Sequence, residues 1–350
     1  MKTGISIYLS SPIEDIERTI ERGASAGARY AFTSMQLPDD KVADYADKVK
    51  HVLSLLSQHG ISLIADVGPA TCDLLGLSRI EDLRDLGLEY LRLDYGFDAP
   101  RVAELSKTFR IVVNASTVSR DEIAAWREAG ADFSRFAACH NFYPKPHTGL
   151  TLESVARTNQ RLAAIGFEIM AFIPGDYNVR GPIFKGLPTV EAQRSRADHV
   201  ALNMLELFNG AGCDIVLAGD PELSESGWAQ FEQVSAGYVE IPCELDAHYE
   251  YLRGQIHHDR PDSSCEIFRS QESRTTLKPS IVEPDAYAGK PRPAGSIAVS
   301  NSRYGRYEGE LEIARVDLPG DERMNVAGHI AAEAMDLLPL ITQGFGIRLV

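Results

Sequence analysis

Six polar residues, Asp66, Asp94, Asn114, His140, Asp176 and Asp220, each stand at the C-terminal end of a short apolar run, and each run is followed by a segment with helix-like character. Four of them are carboxylates. Two carboxyl groups held close together, one protonated as an acid and one ionised as nucleophile or base, are what cleavage of a glycosidic bond requires. Side chains alternate along a strand, so in 62–66 and 90–94 the residues Asp66, Arg92 and Asp94 point to one side while Leu91 and Leu93 point to the other. Neighbouring strands lie about 4.8 Å apart. Asp66 and Asp94 are therefore the expected catalytic pair, with Asp176 and Asp220 as a second pair. A plainer reading stands beside this one: Asp66 or Asp94 neutralises a buried Arg92, and Asp176 and Asp220, each preceded by glycine, shape turns.

Two loops supply binding groups. In 140–149, two prolines stiffen a segment that offers the flat rings of Phe142 and Tyr143 and the polar groups of His140, Asn141 and Lys145, a combination suited to a sugar-binding wall. In 173–189, Arg180 and Lys185 lie in a Gly- and Pro-rich stretch ahead of a helix start, where a phosphate would find full charges and backbone amides. Asn114 and Arg92 complete the expected substrate contacts. No HExxH or comparable ligand spacing occurs, and neither a metal nor another cofactor is expected. Cys139 and His140 do not read as a nucleophile and its base, because adjacent strand residues face opposite ways.

These residues need a scaffold that gathers strand ends. Strand-like runs at 4–9, 30–34, 62–66, 90–94, 110–116, 133–140, 168–173 and 214–218 alternate with helix-like segments such as 12–26, 40–59, 120–129, 151–165 and 189–211. Eight such units in about 235 residues predict an α/β fold, a (β/α)8 barrel over 1–235, whose active site would lie at the C-terminal ends of its strands. Beyond 235 the texture changes to short β-like runs at 238–245, 265–270, 295–300 and 310–316. A helix-like stretch at 326–338 and a last strand at 346–350 follow, predicting a second, mostly β domain over 236–350.

Composition narrows the partners. The formal charge of −15 argues against nucleic acid, which is bound through clustered Lys and Arg, but leaves room for a small anion held by a few local cations. No apolar stretch of membrane-spanning length and no export signal is apparent, so a cytoplasmic protein with no membrane partner is expected. Five widely spaced cysteines fit reduced thiols. An assembly of identical chains is compatible with all of this.

Several segments together resemble the MupG-type 6-phospho-N-acetylmuramidases, a glycoside hydrolase family. They are Ser6-Ile7-Tyr8-Leu9, Phe32-Thr33-Ser34, Arg92-Leu93-Asp94-Tyr95-Gly96, Asn114-Ala115-Ser116-Thr117, the run from His140 to Pro146, Phe172-Ile173-Pro174-Gly175-Asp176, Arg180-Gly181-Pro182, Gly186-Leu187-Pro188-Thr189 and the run from Tyr304 to Leu311. The resemblance implies a TIM barrel followed by a cyclophilin-like β domain. It also implies hydrolysis of N-acetylmuramic acid 6-phosphate linked to N-acetylglucosamine during recycling of cell-wall fragments. Such a substrate carries a phosphate and a lactyl carboxylate, so two cationic subsites are expected: Arg180 and Lys185 for the phosphate, with Arg306 reaching over from the second domain, and Lys145 or Arg92 nearer the sugar. Two other readings use the same residues, a phosphosugar aldolase or epimerase on the same barrel and a non-catalytic sugar-phosphate sensor. The former would normally need a Schiff-base lysine or a metal, and no strand-end lysine occurs; the latter needs no carboxylate pair.

Overall fold

The structure, a computed structural model, describes residues 1–35, 45–93, 96–277, 279 and 281–350. It divides into two compact units, Met1–Ser235 and Ala236–Val350.

In the first unit eight parallel strands close into a barrel in sequence order. They are β1 (Lys2–Ser6), β2 (Tyr30–Ser34), β3 (Ser62–Val67), β4 (Tyr90–Leu93), β5 (Arg110–Asn114), β6 (Phe136–Cys139), β7 (Glu168–Ile173) and β8 (Ile215–Ala218). Helices α1 (Ile13–Ser25), α2 (Tyr45–Gln58), α3 (Thr71–Leu75), α4 (Ala99–Leu105), α5 (Arg120–Glu128), α6 (Leu152–Ala163), α7 (Val200–Leu205) and α8 (Glu225–Ala236) occupy the connections. The helices start where their caps say they should: Asp98, Ser119 and Thr151 each accept a backbone N–H from the first turn of α4, α5 and α6.

The strands' inward positions form one apolar interior of Phe32, Ile64, Tyr90, Val112, Ala137, Cys139, Met170, Phe172, Ile215 and Leu217, with Phe142 packed on it from the rim. The alternation that aims Ile64 and Tyr90 inward carries Asp66 and Arg92 to the same side one layer higher. In register, Asp66 stands beside Arg92 and also beside Ser34. At the opposite end, Lys2 pairs with Glu168 at 2.5 Å and Arg110 lies over the Tyr90 ring, 5.5 Å from its centroid. A recess of about 740 Å³ lined by Lys50, Ser57, Gln58, Asp85 and Glu89 also lies where β3 and β4 begin. In barrels of this kind that end serves stability and the other serves chemistry.

Several segments depart from the expected bounds: the strand expected over 4–9 is β1 at Lys2–Ser6, and the one expected over 110–116 ends at Asn114. The strand expected over 133–140 begins with a helical turn at Phe133–Arg135, so β6 is confined to four residues. The helix expected over 189–211 is broken into a 3-10 turn at Glu191–Arg196, α7, and a wider turn at Glu206–Gly210.

The second unit holds two sheets. One runs in the order β10 (Cys243–Leu245), β15 (Met324–Ile330), β13 (Ser296–Ser300), β14 (Leu311–Ala314), β12 (Ile267–Arg269); the other runs β11 (Ile256–His258), β16 (Gly346–Leu349), β9 (Tyr238–Ile241). The stretch 326–338, expected as a helix, is corrected here: its first part belongs to β15, paired on both edges by β10 and β13. Ladder bonds on two sides outweigh a helical pattern of apolar residues, and only short 3-10 turns at Ala332–Ala334 and Leu338–Leu340 remain beyond it.

Candidate active site

At the C-terminal mouth of the barrel, Arg92 on β4 is 5% exposed and sits at the centre of a polar group. Its Nη1 lies 3.0 Å from Asp66 Oδ1, on the end of β3, and its Nη2 donates to Asn141 Oδ1 at 2.6 Å, just past β6. A guanidinium so deep in protein must be paired, and its partners here come from two other strand ends. Asn141 is fixed in turn by its own carbonyl, which accepts the Thr189 hydroxyl at 3.0 Å. Phe142 follows as a flat wall, edge-on to Phe32 and Phe172 with centroids 6.3 and 5.2 Å away. Asp94, the other half of the expected pair, lies outside the described residues.

Asn114 closes β5, its Oδ1 accepting the Ser116 N–H at 3.0 Å. Tyr143 donates its hydroxyl to Ser116 Oγ at 3.3 Å, so Asn114, Ser116 and Tyr143 form a second polar edge beside the Arg92 group. His140 is expected to bind substrate directly, and this is corrected: its side chain is 0% exposed and points away from the barrel interior, as the parity with inward Cys139 dictates. One ring nitrogen lies 2.7 Å from Asn159 Oδ1 on α6 and the other 3.2 Å from Ser116 Oγ. Burial lowers its pKa, against a smaller opposing effect of Asn159. His140 therefore holds Ser116 rather than a ligand.

Asp176 and Asp220 do not form a pair with each other; each is committed to backbone donors. Asp220, 2% exposed, accepts the N–H groups of Gly175 and Leu187 at 2.8 Å and of Arg180 at 2.9 Å. Burial pushes its carboxyl above the usual range, while those three donors pull the other way. The approach of Gly175 to Asp220 is so close that an added Cβ would lie 2.6 Å from the aspartate's own. Asp176 accepts the Ser224 N–H at 2.8 Å and the Ser224 hydroxyl, securing the entry to α8. These are loop-organising roles, because backbone N–H donors at a turn are what a carboxylate satisfies best.

That organisation places Arg180. With its backbone tied to Asp220, its guanidinium lies over the ring of Tyr8, 3.7 Å from the centroid, above the end of β1. Lys185 and Lys145 are exposed on the rim. Among the described residues, three of the four non-glycine residues with positive φ, His147, Asn178 and Phe184, lie in the two rim loops after β6 and β7, and such backbone strain concentrates at functional sites.

The feature that sequence reasoning missed is the clasp joining those two loops. Glu191 accepts the His147 and Gly149 N–H groups, each at 2.8 Å, and Arg194 binds Glu191 at 2.7 Å. The same guanidinium donates to the carbonyls of Tyr143, Lys185 and Gly186 at 2.7 to 2.9 Å. Arg194 thereby holds the Glu191 carboxyl down to about 2. The only signal in the sequence was a Glu–Arg spacing of three. Among the described residues, no three His, Cys, Asp or Glu side chains come together as metal ligands, and no helix is long and apolar enough to cross a membrane.

A buried Arg–Asp–Asn group at strand ends, a cation above β1 and an aromatic wall thus stand at the C-terminal mouth of the barrel. Comparison with family models decides between the readings: the model for the N-terminal part of 6-phospho-N-acetylmuramidases matches residues 3–233, and the model for the C-terminal part matches residues 239–350. The chain belongs to the 6-phospho-N-acetylmuramidase family. It is accordingly a glycosidase. No curated protein sequence matches it. Among solved structures it is similar to a conserved protein of unknown function from Enterococcus faecalis, at 31% identity and TM-score 0.73, covering 100% of this chain and 96% of that one. It is also similar to an uncharacterised B. cereus protein, at 26% identity and TM-score 0.72, covering 100% of this chain and 99% of that one. This 6-phospho-N-acetylmuramidase family member thus shares its fold with those two chains over nearly all of their length. Arg306, expected to contribute to the phosphate site, is an exposed residue of the second unit that donates to the Tyr307 hydroxyl at 2.7 Å.

Proposed function

We propose that this chain cleaves the bond between N-acetylmuramic acid 6-phosphate and N-acetylglucosamine in cytoplasmic recycling of cell-wall fragments, with Asp66 and Asp94 as its carboxyl pair. The observation that carries the reading is the Arg92–Asp66–Asn141 group where β3, β4 and β6 end. A carboxylate beside a buried guanidinium is suited to the ionised role, as nucleophile or as base toward water. Asp94 directly follows β4 in the sequence and is assigned the acid, protonating the leaving glycosidic oxygen as the bond breaks. Arg92 keeps Asp66 aimed into the mouth, and Asn141 keeps Arg92 from turning.

The phosphate is assigned to Arg180 and Lys185, supported by the anchoring of Arg180 through Asp220 and Tyr8. Lys145 and Tyr143 on the loop after β6, with Asn114 behind Ser116, are assigned to the sugar and its lactyl carboxylate. The second unit is assigned the cyclophilin-like domain of the family. Incubation with the 6-phosphorylated disaccharide should release N-acetylglucosamine, and the unphosphorylated disaccharide should be a far poorer substrate. Arg180→Gln with Lys185→Gln should erase that preference, by about 10 to 100-fold for two lost charge-assisted contacts. Equal losses on both disaccharides would remove these residues from the phosphate role, and no release from either would end the assignment of substrate.

A further inference from the structure

We infer that Asn159, His140 and Ser116 form a hydrogen-bond relay from α6 to the mouth that orients the Tyr143 hydroxyl, so that Tyr143 meets the sugar as an acceptor and selects an N–H or O–H group rather than the lactyl carboxylate. The inference rests on the muramyl substrate proposed above and decides one contact within it. The direction of the relay starts from an amide whose two ends cannot be exchanged. Asn159 is 2% exposed; its Nδ2 donates to the Ala211 carbonyl at 2.8 Å and to Cys213 Sγ at 3.4 Å. A carbonyl only accepts, so the NH2 end faces Ala211 and Oδ1 faces His140. His140 Nε2, 2.7 Å from that oxygen, must then carry a proton. The imidazole is fully buried and burial holds its pKa below the ordinary value, so the ring is neutral at pH 7 and its Nδ1 is bare.

A bare ring nitrogen accepts, and the group 3.2 Å from it is the Ser116 hydroxyl. That hydroxyl has one hydrogen, which the relay directs to His140. Ser116 Oγ therefore offers Tyr143 only a lone pair, and the 3.3 Å contact between them has Tyr143 as its donor. Reversing the chain would turn Asn159 Oδ1 toward the Ala211 carbonyl, two acceptors face to face. The consequence lies at the mouth. Tyr143 has a single hydrogen, held by Ser116, and what its hydroxyl presents to a ligand is oxygen lone pairs. Both ends of the contact are anchored: the Ser116 N–H donates to Asn114 Oδ1 at 3.0 Å, while the Tyr143 N–H donates to the Pro188 carbonyl at 2.9 Å and its carbonyl accepts Arg194 at 2.7 Å. A carboxylate brings no hydrogen to those lone pairs, whereas a sugar N–H or O–H does, and a site built around such a bond rejects a group that lacks it. Lys145, two residues further on, has three donors and a full charge for the carboxylate.

Nitrogen-15 NMR of the histidine-labelled intact protein, with His140→Gln to assign the signal, reads the tautomer without any substrate. A neutral Nε2–H ring at pH 7 is expected; an Nδ1–H or doubly protonated ring overturns the relay. Steady-state kinetics then compare Tyr143→Phe on two 6-phosphorylated disaccharides, one with the lactyl group and one without it. A rise in KM of about five- to tenfold on both, larger than any fall in kcat, is expected for one lost neutral hydrogen bond. A rise confined to the lactyl-bearing disaccharide, or no rise on either, overturns the selection. Ser116→Ala should raise KM on both disaccharides, the double variant with Tyr143→Phe should lose little more, and Ser116→Thr should recover most of the loss because it keeps the hydroxyl. Fully additive losses, or no recovery in Ser116→Thr, overturn the positioning role of Ser116. Absence of turnover by the unaltered protein would instead end the substrate assignment, and the His140 tautomer distinguishes that outcome from failure of the relay.

Discussion

The two sides of the barrel's mouth use the same residue types in different ways. After β7 and β8, Asp220 and Asp176 bind backbone N–H groups, and Arg194 binds three carbonyls. After β3, β4 and β6, Asp66, Arg92 and Asn141 bind one another through side chains. A charge that satisfies backbone groups fixes the course of a loop. A charge paired with a neighbouring side chain at a strand end can exchange that partner for a ligand. The difference separates carboxylates that build the site from those suited to act in it, a distinction invisible in the bare observation that all of them end strands.

The largest effect should come from the side-chain group. Asp66→Asn and Asp94→Asn should each lower kcat by about 10³-fold or more, as loss of a proton-transferring or nucleophilic carboxyl does; Asp66→Asn should also lower the unfolding midpoint, because the buried Arg92 loses its counter-charge. Near-normal turnover in Asp66→Asn would break the comparison at its acting side. Asp220→Ala should do the reverse, costing about 3 kcal/mol of stability through three abandoned N–H groups, read by denaturant unfolding. A stable Asp220→Ala protein with lost turnover would move Asp220 to the acting side.

Arg194→Gln is expected to be milder, costing about 2 kcal/mol and raising KM more than it lowers kcat, because the rim loops after β6 and β7 lose a common anchor. Steady-state kinetics on the phosphorylated disaccharide check this, and an unchanged KM would detach the clasp from binding. The smallest effect is on pH. His140 and His257 are both held below the ordinary histidine pKa by burial, so the unfolded chain binds protons first as pH falls. Their contribution is complete above about pH 6.5 and declines below it toward the folded-state values. Unfolding midpoints at pH 7 and 5.5 should show that loss, and a His140→Gln variant should show less of it.

Much was legible in the sequence because strand alternation and helix capping are local. Eight apolar runs and their intervening helices predicted the barrel, and the parity of 62–66 and 90–94 placed Asp66 and Arg92 on its inner side. The same parity set Cys139 inward and therefore His140 outward, yet His140 was expected at the ligand because its position at a strand end outweighed its orientation. Residues 326–338 misled for a related reason: a helical pattern cannot report that β10 and β13 wait on either side of the segment.

What this chain's order of residues determined by itself is the barrel, the change to a β-rich second unit near residue 235 and the set of polar groups at strand ends. Which of those groups meet was decided only by folding. Arg92 finds Asp66 and Asn141 because parallel strands bring positions 26 and 49 residues away to hydrogen-bonding distance. Asp220 finds backbone amides 33 to 45 residues away because the loop after β7 folds back over β8. Hydrogen bonds and ion pairs act over a few ångströms of space, and separation along the chain does not encode that distance.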